Sequence, residues 1–363
     1  MNTSRLYDST LAALRHHLPD VRGSQCESLA LVMVGLARGQ SGHLGRIARN
    51  MPLATRQDSK EQRVRRLISN PRITPQTHYQ PIVRAAIAGL VRQPIHLVLD
   101  RVLLHDRHNL LVVGLATRRR VVPLVWHCLP HTGSSDLADH QAILTEALHL
   151  LPNSRRVTVH ADSEFRAQEL FTWLVDQGCT PFLGLRGTTG MATTADGPLV
   201  ALRERVRPAD GIVYLNNVYV TEARRGPVNL YAWWSTNDRG DPLLRVVQTT
   251  RLANPNTYRI GKRRMAIEPT FREWQRGGFG LDTSGLLDGE RLVHLLIPML
   301  LVYLWFLHLG RWVSQSGRRA LVEDSPPRSW FGEWGLFQRG VAWFQRQLSL
   351  ELPPPAVGFY MSP

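Results

Sequence analysis

Residues 95–104 (IHLVLDRVLL), 110–116 (LLVVGLA) and 121–129 (VVPLVWHCL) are three strongly apolar runs separated by short polar segments. Their length and their branched side chains predict three neighbouring β-strands. A helix is predicted next, capped by Ser135 or Asp136, followed by a strand at 156–161, a helix at 169–177 and a strand at 181–185. Strands first in succession and then in alternation with helices indicate an α/β domain, with a mixed sheet covered by helices.

This strand plan resembles that of the ribonuclease-H-like fold, and we predict such a mixed sheet with the rest of the chain arranged around it. Further strands at 199–206, 211–221, 228–234 and 243–250 indicate an all-β insertion over residues 188–252. The α/β domain is then formed by residues 91–187 and 253–315. Residues 1–90 are predicted to be an N-terminal helical domain, and residues 316–363 a C-terminal tail with one amphipathic helix.

The charge of the chain indicates a polyanionic partner. Its 363 residues include 44 basic and 29 acidic residues, which gives a formal charge of +15. A positive field of this size attracts nucleic acid first and an anionic membrane surface second. Cys26, Cys128 and Cys179 are few and far apart, which fits a reducing cytoplasm rather than a disulfide framework.

Residues 292–313 (LVHLLIPMLLVYLWFLHLGRWV) are long and apolar enough for a membrane span. A helix buried in the core of a soluble protein has the same composition. The segment contains His294, Pro298, His308 and Arg311, so we predict a core helix and no membrane partner.

Three acidic residues stand out by their sequence context. Asp100 lies within an apolar strand, Asp162 follows the strand VTVHA, and Glu268 lies on a basic helical segment. Each has a structural alternative: Asp100 as half of an ion pair, Asp162 as a helix cap, and Glu268 as a solvent-facing helical residue. If the three carboxylates converge, they can hold two divalent ions for an in-line phosphoryl transfer, and Mg²⁺ suits such hard oxygen ligands.

The order of these acids and the sequence around them resemble the DDE transposases of bacterial cut-and-paste insertion sequences. The resemblance covers residues 94–313, in the branch with a β-strand insertion before the catalytic glutamate. LVLDRV and VTVHADSEF match its two aspartate motifs, and Arg264 and Glu268 keep the Arg-x3-Glu spacing of its Tyr-x2-Arg-x3-Glu-x6-Lys signature.

The resemblance implies that Asp100, Asp162 and Glu268 are the catalytic residues and bind two Mg²⁺ ions, for which Mn²⁺ substitutes. It implies an endonuclease that cuts double-stranded DNA at terminal inverted repeats and joins the freed 3′-hydroxyl to target DNA. It further implies a homodimer in a synaptic complex, acting on the nucleoid in the cytoplasm.

Two groups of residues are candidates for DNA contacts. Near the glutamate, the signature's arginine is Arg264. Its tyrosine position falls on Gly261, with Tyr258 one turn earlier, and its lysine position falls on Gln275, with Arg276 next to it. The candidates here are therefore Arg264, Tyr258, Gln275 and Arg276. In the N-terminal region, arginines on one helical face with apolar residues on the other suit a helix laid against phosphates, or else the solvated surface of a small helical bundle. That second group is Arg46, Arg49, Arg63 and Arg66.

The departures from the signature leave three functions open: an active transposase, a metal-dependent nuclease of the same fold, and an inactive DNA-binding protein derived from a transposase. Pro269, directly after Glu268, is predicted to kink or restart the helix there.

Overall fold

The computed structural model describes residues 3–88, 94–117, 120–152, 156–237, 239–323, 335–353 and 355–359. The first part of the chain is helical, as predicted. Its helices are α1 (Thr3–His17), α2 (Gly23–Gly39), α3 (Leu44–Arg49), α4 (Gln57–Ile68), α5 (Pro75–His78) and α6 (Gln80–Ala88).

The predicted strands and helices of the α/β region follow in the expected order. They are β1 (Ile95–Leu104), β2 (His108–Ala116), β3 (Val121–Leu129), α7 (Leu137–His149), β4 (Val157–Ala161), α8 (Gln168–Asp176) and β5 (Thr180–Leu185). β2 pairs antiparallel with both β1 and β3, whereas β4 pairs parallel with both β1 and β5. All nine residues of β2 are buried, which explains why this run is continuously apolar rather than alternating.

The region after β5 does not form a separate layer. It contains β6 (Gly190–Ala192), β7 (Val200–Ala201), α9 (Leu202–Arg205), β8 (Val213–Val220), β9 (Arg225–Thr236) and β10 (Pro242–Thr249). β10 pairs antiparallel with β5, so these strands extend one ten-stranded sheet in the order β3-β2-β1-β4-β5-β10-β9-β8-β6-β7. β10 thereby supplies hydrogen-bond partners for the backbone groups at the edge of β5. An insertion separate from the sheet would leave those groups unpaired.

The prediction of an all-β insertion was wrong over residues 199–206. Only Val200 and Ala201 are in a strand, and Leu202–Arg205 form the short helix α9. Leu202 and Val206 are both almost fully buried and lie four residues apart. One helical turn brings two side chains four residues apart next to each other on the same face. In a strand the same two side chains would lie much farther apart.

The chain then returns to helices: α10 (Pro255–Gly261), α11 (Ile267–Trp274), α12 (Gly289–Gln315) and α13 (Leu336–Ser349). A 3₁₀ segment at Lys262–Ala266 joins α10 to α11, and Pro269 is the third residue of α11. There it removes no intrahelical hydrogen bond, so it lies in a new helix start, as predicted. The predicted amphipathic helix of the tail began at Trp330, and residues 324–334 lie outside the described residues.

α12 is the centre of the core. It is long and apolar enough to cross a membrane, but 89% of its most apolar window is buried within the protein. It contacts α2, α4, β3 and α13, and one hydrophobic core runs from Leu6 to Phe359. This burial favours a core helix. The N-terminal helices share the core of the sheet, and the domain boundary predicted near residue 90 lies outside the described residues.

Candidate active site

Asp100 on β1 and Asp162 directly after β4 are neighbours across the third and fourth strands of the sheet. The parallel register of β1 and β4 pairs Leu99 with Ala161. The next residue along each strand is therefore one of the two acids, although they are 62 positions apart in sequence. Because β4 ends at Ala161, Asp162 lies where parallel strands commonly place ligand-binding residues.

Asp162 is held by a tight turn directly after β4. Its Oδ1 accepts a hydrogen bond from the Glu164 backbone N–H at 2.8 Å and caps the 3₁₀ turn Ser163–Phe165. The capping alternative is therefore realised, and it uses one of the two carboxylate oxygens. Gly184 on β5 permits the close approach of this turn, since a Cβ there would lie 2.5 Å from the Ser163 nitrogen.

Arg264 connects Asp100 to Glu268. Its Nη1 lies 3.2 Å from Asp100 Oδ2, and its Nη2 lies 3.0 Å from Glu268 Oε1. Asp100 also accepts the backbone N–H of Arg101 at 2.8 Å. The two acids, 168 residues apart in sequence, thus share one guanidinium. The ion-pair alternative for Asp100 holds in this structure, with Arg264 as its partner.

Asp100 is under electrostatic stress even with this partner. Burial raises the pKa of its carboxyl to about 7, Arg264 opposes the rise, and the charges of Asp162 and Glu268 add to it. Desolvation and like charges both disfavour the ionised form. A further cation at this point would relieve both effects.

Two buried, neutral histidines lie next to the acids on β1 and β4. His96 and His160 lie on the same faces of β1 and β4 as Asp100 and Asp162, with His96 Nδ1 and His160 Nε2 3.1 Å apart. Burial lowers the pKa of His96 to about 4 and that of His160 well below its usual value. Neutral imidazoles leave Arg264 as the cation that contacts Asp100.

A second ion pair ties together the segments that carry the two aspartates. Arg101 Nε lies 2.7 Å from Glu164 Oε1, and Arg101 Nη2 donates to Glu164 Oε2 at 3.1 Å. Each partner also donates its backbone N–H to one of the aspartates. Through these contacts the Arg101–Glu164 pair fixes the spacing of Asp100 and Asp162.

The three acids fit a divalent cation in the chemistry of their donors but are not assembled around one. Among the described residues, no three Asp, Glu, His or Cys side chains stand together as a metal-binding group. Arg264 lies between Asp100 and Glu268 and contacts one oxygen of each carboxylate. All three donors are hard oxygens of the kind that Mg²⁺ prefers. Binding would require Arg264 to turn away.

The other residues predicted to contact DNA near the glutamate have different environments. Tyr258 on α10 packs edge-to-face against Tyr231 and Trp233, and Lys262 lies 4.7 Å over its ring. Gln275 ends α11 rather than continuing it. The side chain of Arg276 is 91% exposed and pairs with Asp282 at 3.1 Å.

Gly261 stands at the signature's tyrosine position, and another residue occupies the space that a side chain there would need. A Cβ at this residue would lie 1.7 Å from the hydroxyl oxygen of Tyr231, a buried residue of β9. The hydroxyl of this β9 tyrosine therefore fills the space where a side chain at Gly261 would begin. The glycine is required by packing.

The N-terminal arginines form an exposed basic surface on α3 and α4. Their side chains point to solvent, while Leu44, Ile47, Val64 and Leu67 on the same helices are buried. The four exposed residues are Arg46, Arg49, Arg63 and Arg66.

Arg272 is a candidate that sequence reasoning missed. It lies one helical turn after Glu268 on α11 and is exposed on the same face. α11 ends at Trp274, before the signature's lysine position, so Arg272 is the basic residue that follows Glu268 on this helix. The spacing of four between Glu268 and Arg272 is the signal that could have found it.

Comparison with known proteins gives one family. Residues 125–305, or 181 of 363, match the family described as "Transposase DDE domain". The matched region includes Asp162, Arg264 and Glu268, whereas Asp100 lies before it. Comparison with curated proteins gave no match.

Among solved structures, one described as "Cryo-EM structure of piggyBac transposase synaptic complex with hairpin DNA (SNHP)" is similar. Its TM-score is 0.45 at 10% sequence identity, over 97% of this chain and 77% of that one. From residue 125 to residue 305, the chain matches a transposase DDE domain.

Proposed function

We propose that the protein is a DNA transposase of the DDE type, with Asp100, Asp162 and Glu268 as its catalytic acids on a ribonuclease-H-like sheet. The observation that carries the proposal is the meeting of Asp100 with Asp162 on neighbouring strands and with Glu268 through Arg264. The transposase match over residues 125–305 supports the same function.

Asp100, Asp162 and Glu268 would hold two divalent ions, Mg²⁺ in the cell and Mn²⁺ as a substitute. Bound there, the ions would supply Lewis acidity to the attacking and leaving oxygens of phosphodiester cleavage. By holding the ions, the three carboxylates would orient the scissile phosphate. The two aspartates, held by the contacts described above, would form the fixed side of the metal site. Glu268, whose side chain is 48% exposed, would form its adjustable side.

Arg264 would act as the counter-charge of the acids before DNA and metal arrive. A guanidinium matches a phosphate as well as a carboxylate, so Arg264 can exchange its two carboxylate partners for a DNA phosphate. Arg272 and Arg276, exposed near Glu268 in sequence, would contact the neighbouring phosphates. The basic surface of α3 and α4 would hold the transposon end.

The substrate would be double-stranded DNA with terminal inverted repeats, cut at its ends and joined through a 3′-hydroxyl to target DNA. We further propose a homodimer that pairs two ends on the nucleoid, in the insertion-sequence branch with a β-strand insertion. An inactive DNA-binding descendant is the second candidate, favoured by the position of Arg264 between Asp100 and Glu268.

The experiment that tests the function is a cleavage and strand-transfer assay on DNA carrying the gene's own flanking sequences, with Mg²⁺ or Mn²⁺. Wild type is compared with Glu268→Gln and with Glu169→Gln, an exposed glutamate at the same position of α8. Nicking and joined products in wild type and Glu169→Gln, lost in Glu268→Gln, are the predicted result. Cleavage without joining would indicate a nuclease, and specific binding without cleavage an inactive descendant.

A further inference from the structure

A buried polar cluster lies on the side of α11 that faces away from Glu268. Arg120, directly before β3, donates from Nε to both Glu273 oxygens at 2.9 and 3.0 Å, and its Nη2 lies 2.8 Å from Oε1. Tyr303, at the middle of α12, donates its hydroxyl to Glu273 Oε2 at 3.0 Å. Three separate elements therefore meet at one carboxylate.

One turn earlier, α11 is fastened to the same strand a second time. The Val121 backbone N–H donates to Thr270 Oγ1 at 3.0 Å, and the Tyr303 hydroxyl lies 3.4 Å from the same oxygen. Glu273, Thr270 and Tyr303 are each no more than 1% exposed. At 100° per residue, Glu273 points about 140° away from Glu268 around the helix. The buried contacts thus hold the back of α11 while Glu268 is on its front.

Stability alone is a poor explanation for this arrangement. Two charges withdrawn from water recover their desolvation energy only in part, and apolar replacements of such pairs are often neutral or stabilising. The pKa of Glu273 is raised by burial despite the opposing effect of Arg120, which fits a costly charge. Directional hydrogen bonds do fix orientation, which apolar packing does less well.

We infer, on the basis of the proposed function, that Arg120, Glu273 and Tyr303 form a positioning clamp that aims α11 so that Glu268 faces Asp100. The clamp acts through the helix and touches none of the three acids. It also reaches the start of α13, because Gly335 leaves room for Arg120: a Cβ there would lie 2.0 Å from Arg120 Nη2.

The test replaces the pair by apolar side chains of similar size, Arg120→Met with Glu273→Leu, so that no buried charge is left alone. Its matched control is Arg339→Met with Glu323→Leu, a second buried ion pair, which joins α13 to residue 323 rather than to α11. A third variant, Arg120→Lys, keeps the charge pair with Glu273 and leaves the Tyr303 hydroxyl its acceptor. Hydrogen exchange of the α11 amides and Mn²⁺ affinity are measured in each.

The clamp variant is predicted to exchange its α11 amides about tenfold faster and to bind Mn²⁺ about tenfold more weakly than wild type. Arg120→Lys should show smaller losses of both than the clamp variant, and the control pair should change neither. Wild-type exchange in the clamp variant, or the same losses in the control, would overturn the inference. If wild type neither binds Mn²⁺ nor cuts DNA, the proposed function fails, and exchange in α11 alone decides whether the clamp holds the helix.

Discussion

Arg264 Nη1 lies 3.2 Å from Asp100 Oδ2, so this acid pairs with a residue of the segment that leads into Glu268. The same guanidinium reaches Glu268 at 3.0 Å. A cation that serves two carboxylates stabilises their charged forms, and it competes with any metal ion for the same oxygens. These two effects of Arg264 have opposite consequences at low and high pH.

The first prediction concerns Arg264→Gln. Removing the guanidinium lets the pKa of Asp100 rise further above 7, since burial and the neighbouring acids remain. At pH 6.5 the variant should bind Mn²⁺ about tenfold more weakly, because the carboxyl must first lose its proton. At pH 9.5 the carboxyl is ionised in both proteins and the variant should bind at least as tightly as wild type. Electron paramagnetic resonance titration of Mn²⁺ measures both.

Arg259→Gln, an exposed change on α10, is the control and should leave Mn²⁺ binding unchanged at both pH values. Equal weakening of Arg264→Gln at pH 6.5 and 9.5 would contradict the competition between Arg264 and the metal.

The second prediction concerns the stability of the metal-free protein. Asp100 has a folded pKa of about 7, above its unfolded value of 3.8, so it stabilises the fold below pH 3.8 and loses that contribution as the pH rises through 7. Asp100→Asn removes the costly charge. The difference in free energy of unfolding, Asp100→Asn minus wild type, should rise by about 2 kcal/mol from pH 5 to pH 8.

Urea denaturation in the presence of EDTA measures this difference. A variant that is less stable than wild type by the same amount at both pH values would identify Asp100 as a purely structural partner of Arg264.

The third prediction concerns the close approach of Gly261 and Tyr231. Gly261→Ala places a methyl group against the Tyr231 hydroxyl and should lower the free energy of unfolding by about 2 kcal/mol. Tyr231→Phe in the same protein removes the hydroxyl and should recover part of this loss. Gly133→Ala, whose Cβ has no neighbour closer than 3.7 Å, should change stability by less than about 0.5 kcal/mol. No recovery in the double variant would contradict the contact.

The fourth prediction concerns the exposed basic surface of α3 and α4. Replacing its four arginines by glutamine should weaken binding to the gene's flanking DNA and reduce the slope of log affinity against log salt by about 3. Thermal stability should be unchanged because all four side chains are exposed. The changed residues are Arg46, Arg49, Arg63 and Arg66.

The control changes net charge by the same amount at four exposed arginines elsewhere. A control that lowers the slope as much as the α3–α4 variant would mean that binding follows total charge rather than this surface. The control residues are Arg5, Arg203, Arg205 and Arg239.

Much of the fold could be predicted because its strands are distinct in sequence. The runs around Asp100 and before Asp162 are apolar, short and bounded by polar turns, and each became a strand. α9 was missed because Leu202 and Val206 fit an alternating and a helical pattern equally well over so short a segment. The joining of β10 to β5 was also missed, because edge pairing depends on tertiary contacts that a local pattern does not contain.

The site was predictable in its acids and less so in its cations. Asp100 and Asp162 stand out because a carboxylate at an apolar strand is costly. The bridging role of Arg264 depends on a contact across 164 residues, and the clamp between Arg120 and Glu273 on one across 153. Arginine is so frequent in this chain that composition could not distinguish these two from solvated ones.

The most direct test of the three-acid centre is iron-directed cleavage of the protein itself. Fe²⁺ bound in place of Mg²⁺, with ascorbate and peroxide, cuts the backbone near its ligands, and the fragments are mapped by mass spectrometry. Cuts near Asp100, Asp162 and Glu268 together, all suppressed by Mg²⁺ and all lost in Asp162→Asn, are the predicted result. Cuts confined to one of these segments, or located elsewhere, would show that the three acids do not share a metal ion.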